Sequence, residues 1–341
     1  MKRPDPSRLL AIIDLFGGVR VAVVGDLIAD EFIYGEIARV SREAPVLILN
    51  YDSTEIVPGG AGNAAGNVAA LGGAASAVGV LGRDDTGERL LEAMRGRVDV
   101  RGIVRPRGFR TPTKTRILAG GVHSAKQQVV RIDRSSGPAL AEADERAVAA
   151  KLLAAASRSD ALLVSDYGSG TVSPALVRRA GAKLRRPGRG RRVPPVLVDS
   201  RYGLLRYRAM TCCTPNESEV EQLFGVRIGD DTRVLEKAGR ELLRRTRAGA
   251  VLVTRGGRGM ALFEPDRPTV HIPIVGSDQI ADVTGAGDTV IATMTLALAA
   301  GASFLEAAWL ANHAGGIVVM KRGTATVSAG ELRHAVEADR D

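Results

Sequence analysis

Asp288 stands in the run DVTGAGDTV (282–290), two glycines from Asp282 and at the head of a long apolar stretch. A helix that begins here leaves its first backbone N–H groups without intrahelical partners and carries partial positive charge at that end. Gly285 and Gly287 keep side chains away from those N–H groups, so an anion can approach them. A carboxylate at the same spot is unwelcome to a bound phosphate but useful to a reaction. The N–H cradle stabilises charge on a transferring group while Asp288 takes a proton. The plainer reading is ordinary capping, with Thr284 or Asp282 as N-cap and the glycines serving the turn.

A second glycine-rich turn, PGGAGNAAGN (58–67), lets backbone approach a ligand closely, and Asn63 and Asn67 offer both donors and acceptors. Tight helix packing through small residues explains the same stretch equally well. Several other chemistries are excluded. No GxxxxGK[ST] occurs, no GxGxxG follows a strand, and no G-x-S-x-G elbow is present. The four histidines lack metal-ligand spacing, which argues against zinc. Cys212 and Cys213, the only cysteines, are adjacent and read as two sides of one buried strand, with no disulfide framework.

These residues need a scaffold, and the hydrophobic periodicity supplies one. Short runs rich in Val, Ile and Leu read as buried strands at 20–24, 75–81, 161–164, 196–198, 210–214 and 250–254. Helical patterns lie between or after them at 61–71, 86–94, 142–156, 174–184, 217–224, 232–245, 286–300 and 304–320. The alternation predicts an α/β fold, a doubly wound and mostly parallel sheet flanked by helices. Such sheets bind ligands beyond the C-terminal ends of their strands. Polar signals do follow the strands there: Asp26, Asp166, Asp199, Asn216 and Arg255-Gly256. Two stretches, 31–51 and 110–134, instead alternate in β-branched and aromatic residues, and predict a small projecting sheet, a lid or a dimer surface. The whole chain, 1–341, reads as one domain with those lid strands inserted.

Composition is that of a folded soluble protein, with 45% hydrophobic and 25% charged residues. The longest strongly apolar stretch, 290–300, is too short to span a bilayer, and MKRPDPSRLL carries no export signal, so a cytoplasmic location is expected. The net charge of +9 is concentrated in RRAGAKLRRPGRGRR (178–192), which holds no acidic residue and no interleaved aromatic. A solvated loop explains it better than a nucleic-acid partner.

Read together, these stretches resemble the ribokinase-like (PfkB-type) family of sugar kinases over nearly the whole chain. Gly59-Gly60 with Asn63 is similar to the sugar-side signature. TPNESE, with Asn216 and Glu219, is similar to the N-x-x-E motif that organises magnesium and phosphate. The run from Asp282 to Asp288 is similar to D-T-x-G-A-G-D. The resemblance implies that Asp288 is the base and that the N–H groups of Gly285, Ala286 and Gly287 form the anion hole. It implies ATP and Mg²⁺ as cofactors, with a monovalent cation in some relatives, and a homodimer built through the lid. By rough position it brings Thr254, Arg255, Gly256 and Asn312 to the adenine and ribose.

The blocks VVGDLIADEFIYGEIARVSREAPV, TPTKTRI, KQQVVRID and LLVSDYGSG further resemble kinases of D-glycero-D-manno-heptose 7-phosphate, which act at the anomeric hydroxyl in lipopolysaccharide precursor synthesis. Ending at Asp341, the chain would be a stand-alone kinase without the adenylyltransferase often fused to them. On this reading Asp30, Asn63 and Asp166 face the sugar, and Arg39, Arg42, Lys114, Arg116 and Lys126 offer cations to its phosphate. Each lid charge, taken singly, is equally a solvated edge-strand residue. Two positions depart from the pattern: Ser169 replaces a usual lysine, and Asp199-Ser200-Arg201 replaces Asp-Pro-Lys, so Arg201 keeps the charge in altered geometry. Another sugar or sugar phosphate, or a non-catalytic sugar-binding regulator, is the alternative.

Overall fold

The computed structural model describes residues 3–120, 126–137, 139–184, 193–275, 282–321 and 323–339. In chain order the strands are β1 (Arg20–Gly25), β2 (Leu27–Val40), β3 (Leu47–Gly60), β4 (Ala74–Val80), β5 (Asp99–Val104), β6 (Thr113–Gly120) and β7 (Gln127–Arg134). There follow β8 (Ala161–Asp166), β9 (Val196–Ser200), β10 (Cys212–Cys213), β11 (Ala250–Thr254), β12 (Met260–Phe263) and β13 (Val270–Ile272). The large sheet runs β13-β12-β11-β10-β9-β8-β1-β4-β5, parallel throughout from β5 to β11 and antiparallel only at β12 and β13.

The central strands are continuous apolar runs because helices cover both of their faces. Val21, Val23, Leu163 and Cys212 join one core with the helices Pro6–Asp14, Ala61–Ala70, Ala286–Ala299 and Phe304–Val318. Ala22, Val24, Leu162 and Cys213 join the other with Glu142–Ala156, Pro174–Leu184 and Thr232–Thr246. The adjacent cysteines therefore do point to opposite cores, and burial pushes the Cys212 thiol up to about 12.

The run 210–214 pairs only at Cys212 and Cys213. Pro215, next along, has no N–H to extend a ladder. The edge strands β5 and β13, the strand β12 beside β13, and the helices Pro6–Asp14 and Ala329–Ala338 were not among the sequence expectations. Of the glycine-rich stretch 58–67, Pro58–Gly60 end β3 and the rest is the helix expected from residue 61.

The second sheet is ordered β3-β2-β6-β7. It grows directly from the first, since β2 begins two residues after β1 and β3 ends where the helix Ala61–Ala70 begins. The expected lid at 31–51 and 110–134 is thus present. Residues 185–192 of the basic stretch lie outside the described residues. Among those described, no helix is long and apolar enough to cross a membrane.

Candidate active site

Asp288 lies in the first turn of the helix Ala286–Ala299 and is only 3% exposed. The N-cap is Gly285, left-handed at φ +78°, and no side chain caps the helix. Neither Thr284 nor Asp282 does so. Instead Asp282 accepts the N–H groups of Thr284 (2.9 Å) and Gly323 (3.1 Å), tying the approach loop to the segment after the next helix. Gly285, Ala286, Gly287 and Asp288 all line the cleft, where an uncapped helix start suits an anion. Ala286 spends its N–H on a long 3.3 Å turn bond to Val283 O. A Cβ on Gly285 would stand 2.5 Å from Asn63 Nδ2, so glycine is required by both space and backbone.

Asn63 Nδ2 donates to Asp288 Oδ2 at 2.9 Å. Its orientation is fixed from behind: Asn67 Nδ2 donates to Asn63 Oδ1 (3.0 Å), and Thr289 Oγ1 donates to Asn67 Oδ1 (3.0 Å). The chain of amides leaves Asn63 one way to face, with its NH₂ on the carboxylate. Tyr167 Oη lies 3.4 Å from the other oxygen. Burial raises the Asp288 pKa from 3.8 to about 7, and the Asn63 bond only partly offsets it. A carboxyl titrating near neutrality is matched to general-base work.

On the lid side, Asp30 is 5% exposed and held by Arg116 (2.6 Å) and Thr324 Oγ1 (3.1 Å). Gly59 makes room for it, since a Cβ there would meet Asp30 Oδ2 at 2.3 Å. Gly60 ends β3 beside Asp26, whose carbonyl accepts the Ala61 N–H at 3.0 Å. Lys114, register partner of Asp30, places its ammonium 4.7 Å above the Tyr167 ring, and burial lowers its pKa against the pull of Asp30. Lys126 is paired with Asp52. Arg39 is a correction: it is exposed at the far end of β2, nine residues beyond Asp30, and one chain does not bring it to the site. Strand rise alone separates the two by about 30 Å.

Beyond Asp288 opens a cavity of about 680 Å³, lined by Asp199, Arg201, Asn216, Glu219, Thr254, Gly256, Gly285 and Gly287 among others. Asn216 and Glu219 form a capping box on the helix Glu217–Phe224, which fixes both at the rim. Burial raises the Asp199 pKa well above its usual value, with Glu219 and Asp288 adding to it; Glu219 is itself raised by burial. Asp166 lines the cavity, but its carboxylate accepts from Ser200 Oγ (2.8 Å), Tyr207 Oη (2.8 Å) and Gly168 N (3.0 Å), so it shapes the loops after β8 and β9. Arg255 is locked to Glu217 (2.7 Å) and Gly229 O (3.0 Å). The Asn312 amide donates to Pro273 O (2.7 Å). Both line the cavity with their polar groups already engaged. Trp309 and His313 are buried in the core.

The sequence model for pfkB family carbohydrate kinases matches residues 20–329, which includes every site residue named above. The chain belongs to the pfkB family of carbohydrate kinases. Its curated relatives include the bifunctional protein HldE of Geobacter sulfurreducens, 40% identical over 317 residues, and that of Caulobacter vibrioides, 39% identical over 325. Each alignment covers 93% of this chain but only 62% and 63% of the relative, so the chain spans about three fifths of their length. In fold it is similar to Arabidopsis thaliana ribokinase complexed with ribose and ATP (TM-score 0.69, 19% identity, 94% of this chain and 99% of that one). It is also similar to Escherichia coli phosphofructokinase-2 in complex with substrates and products (TM-score 0.72, 22% identity, with the same coverage).

Within this pfkB scaffold three residues of the cleft were visible in the sequence without being given a role of their own. Asp199 and Tyr167 sit in quoted motifs but received no role, because their partners come from distant elements. Asp26, 2% exposed, fixes the Tyr167 and Ser169 N–H groups at 2.8 and 3.0 Å. Its position just after β1 was the only sequence signal for it.

Proposed function

We propose that the chain transfers the γ-phosphoryl group of ATP to the anomeric hydroxyl of D-glycero-D-manno-heptose 7-phosphate, giving the 1,7-bisphosphate and ADP. The carrying observation is the Asp288 carboxyl, poised near pH 7 at an uncapped helix start, with the Lys114 cation on the adjoining lid. The attacking hydroxyl gives its proton to Asp288 as its oxygen bonds to phosphorus, and the bond to the ADP oxygen breaks. The helix N-terminus stabilises charge on the transferring group. Asp30 orients sugar hydroxyls, and Lys114 and Arg201 supply positive charge to phosphates. Asn63, its amide already committed to Asp288 and Asn67, holds the base rather than the sugar.

The heptose assignment rests on the sequence blocks already quoted and on identity near 40% to the HldE proteins. Among the described residues, no three carboxylate, His or Cys side chains are gathered to hold a metal unaided. Asp199 and Glu219, whose mutual repulsion a cation would relieve, fit Mg²⁺ bound jointly with nucleotide phosphates. When bound, that ion supplies charge neutralisation between the phosphates. Exposed Ile37, Val129, Val130 and Ile132 on the lid suit a homodimer. The cytoplasm is the setting that fits an ATP-using enzyme with unbridged cysteines.

The test is Mg²⁺-dependent ADP formation with heptose 7-phosphate, the unphosphorylated heptose and ribose in parallel. Turnover confined to the heptose phosphate supports the proposal. Preference for an unphosphorylated sugar overturns the substrate and returns the lid cations to surface charge.

A further inference from the structure

Tyr167 follows β8 and reaches across the cleft. Its backbone N–H donates to Asp26 Oδ2, which also accepts from Ser169 two residues on, so the turn that carries the ring is fixed. Its hydroxyl end is deep, and burial with the nearby Asp288 charge keeps the phenol protonated, hence a hydrogen-bond donor. The hydroxyl points to Asp288 Oδ1 at 3.4 Å while Asn63 holds Oδ2. The ring face underlies the Lys114 ammonium at 4.7 Å. One side chain thus touches both the base and the lid cation.

We propose that Tyr167 is a positioning residue that couples them: its hydroxyl orients the Asp288 carboxyl and its ring seats Lys114, registering base and phosphate-binding cation against one substrate. This rests on Asp288 as the base. The 3.4 Å separation is long for an O–H donor and leaves Oδ1 accessible to a substrate proton. The other groups facing the carboxyl are Asp30 from β2, Lys114 from β6 and Asp199 from β9, with Glu219 and Arg201 acting on Asp199 from behind. Of these, only Lys114 and the two hydrogen-bond donors favour the ionised form. Loss of the hydroxyl therefore moves the Asp288 titration upward.

Tyr167→Phe keeps the ring and removes the hydroxyl; Tyr167→Leu removes both. In kcat/KM against pH, Tyr167→Phe should raise the acid limb by about half to one pH unit with little change in sugar KM. Tyr167→Leu should add a rise of about threefold to tenfold in KM for the phosphorylated sugar, from the lost cation–π contact. Asp288 is also followed without turnover, by ¹³C carboxyl NMR of the protein assigned with Asp288→Asn, where Tyr167→Phe should show the same upward move. An Asp288 titration identical in wild type and Tyr167→Phe overturns the proposal. Full turnover by Asp288→Asn overturns the base assignment instead, whatever Tyr167 does.

Discussion

Replacing Asp288 by Asn should make the protein inactive and, at alkaline pH, more stable. The native carboxyl titrates near 7, against 3.8 for an ordinary aspartate, and is 97% buried by its 3% exposure. A group whose folded-state pKa is raised stabilises the fold below its unfolded value and loses that contribution as pH climbs through the folded value. Through this one side chain the native state loses on the order of 4 kcal/mol between pH 3 and pH 8, about 2.5 kcal/mol of it between pH 5 and pH 8. Asparagine keeps the shape and an acceptor for Asn63 but does not ionise. Asp199 and Glu219 are common to both proteins, so the difference between them isolates position 288. The stability advantage of Asp288→Asn should therefore widen by about 2.5 kcal/mol from pH 5 to pH 8, read by urea unfolding. For 341 residues that corresponds to about 3–4 °C in Tm. Turnover in the same preparations should fall about a thousandfold, within the range for a lost general base. A stability gap that stays constant with pH, or narrows, refutes the buried-base reasoning even if activity is lost.

Lys114→Ala should raise KM for the sugar phosphate several-fold while leaving KM for ATP near wild type; steady-state kinetics with each substrate varied would remove Lys114 from the site if sugar KM is unchanged. Gly285→Ala forces a Cβ into Asn63 and strains a left-handed backbone, so it should cost about 1–3 kcal/mol in denaturant unfolding and abolish turnover. Arg116→Met strands the buried Asp30 charge and should destabilise by about 3–5 kcal/mol, whereas the double change with Asp30→Asn should regain most of the stability and none of the sugar affinity. Equal stabilities for the single and double variants, measured by urea titration, would show that the pair is already solvated.

What could be read in advance follows the range of the interactions concerned. Asp288 was legible because its cradle is local: two glycines, a helix start and a carboxylate lie within seven residues. The central strands were legible because burial on both faces leaves continuous apolar runs. The strands β12 and β13 were not, being only four and three residues long. Tyr167 and Asp199 acquire meaning only through Asp288 and Glu219, which lie far away in sequence, and no periodicity reports such a meeting. Arg39 was placed in the site as one of several lid cations that a phosphorylated sugar would need, but fourteen residues of strand put the two ends of β2 in different surroundings. Arg255 and Asn312 reached the expected wall of the cavity, yet their polar groups were already committed to Glu217 and Pro273.

The length of β2, carried through two irregularities in its pairing with β3, makes the lid a lever. Its base is pinned at Asp30 by Arg116 and Thr324, and its tip extends ten residues further to Val40. With about 3.3 Å of rise per residue the arm is about 33 Å long, so a tilt of about 10° about Asp30 swings the tip through about 6 Å. The fulcrum, Asp30, is the residue proposed above to orient the sugar. On that geometry a small adjustment at Asp30 would be magnified at the tip, where Ile37 and Val40 are exposed.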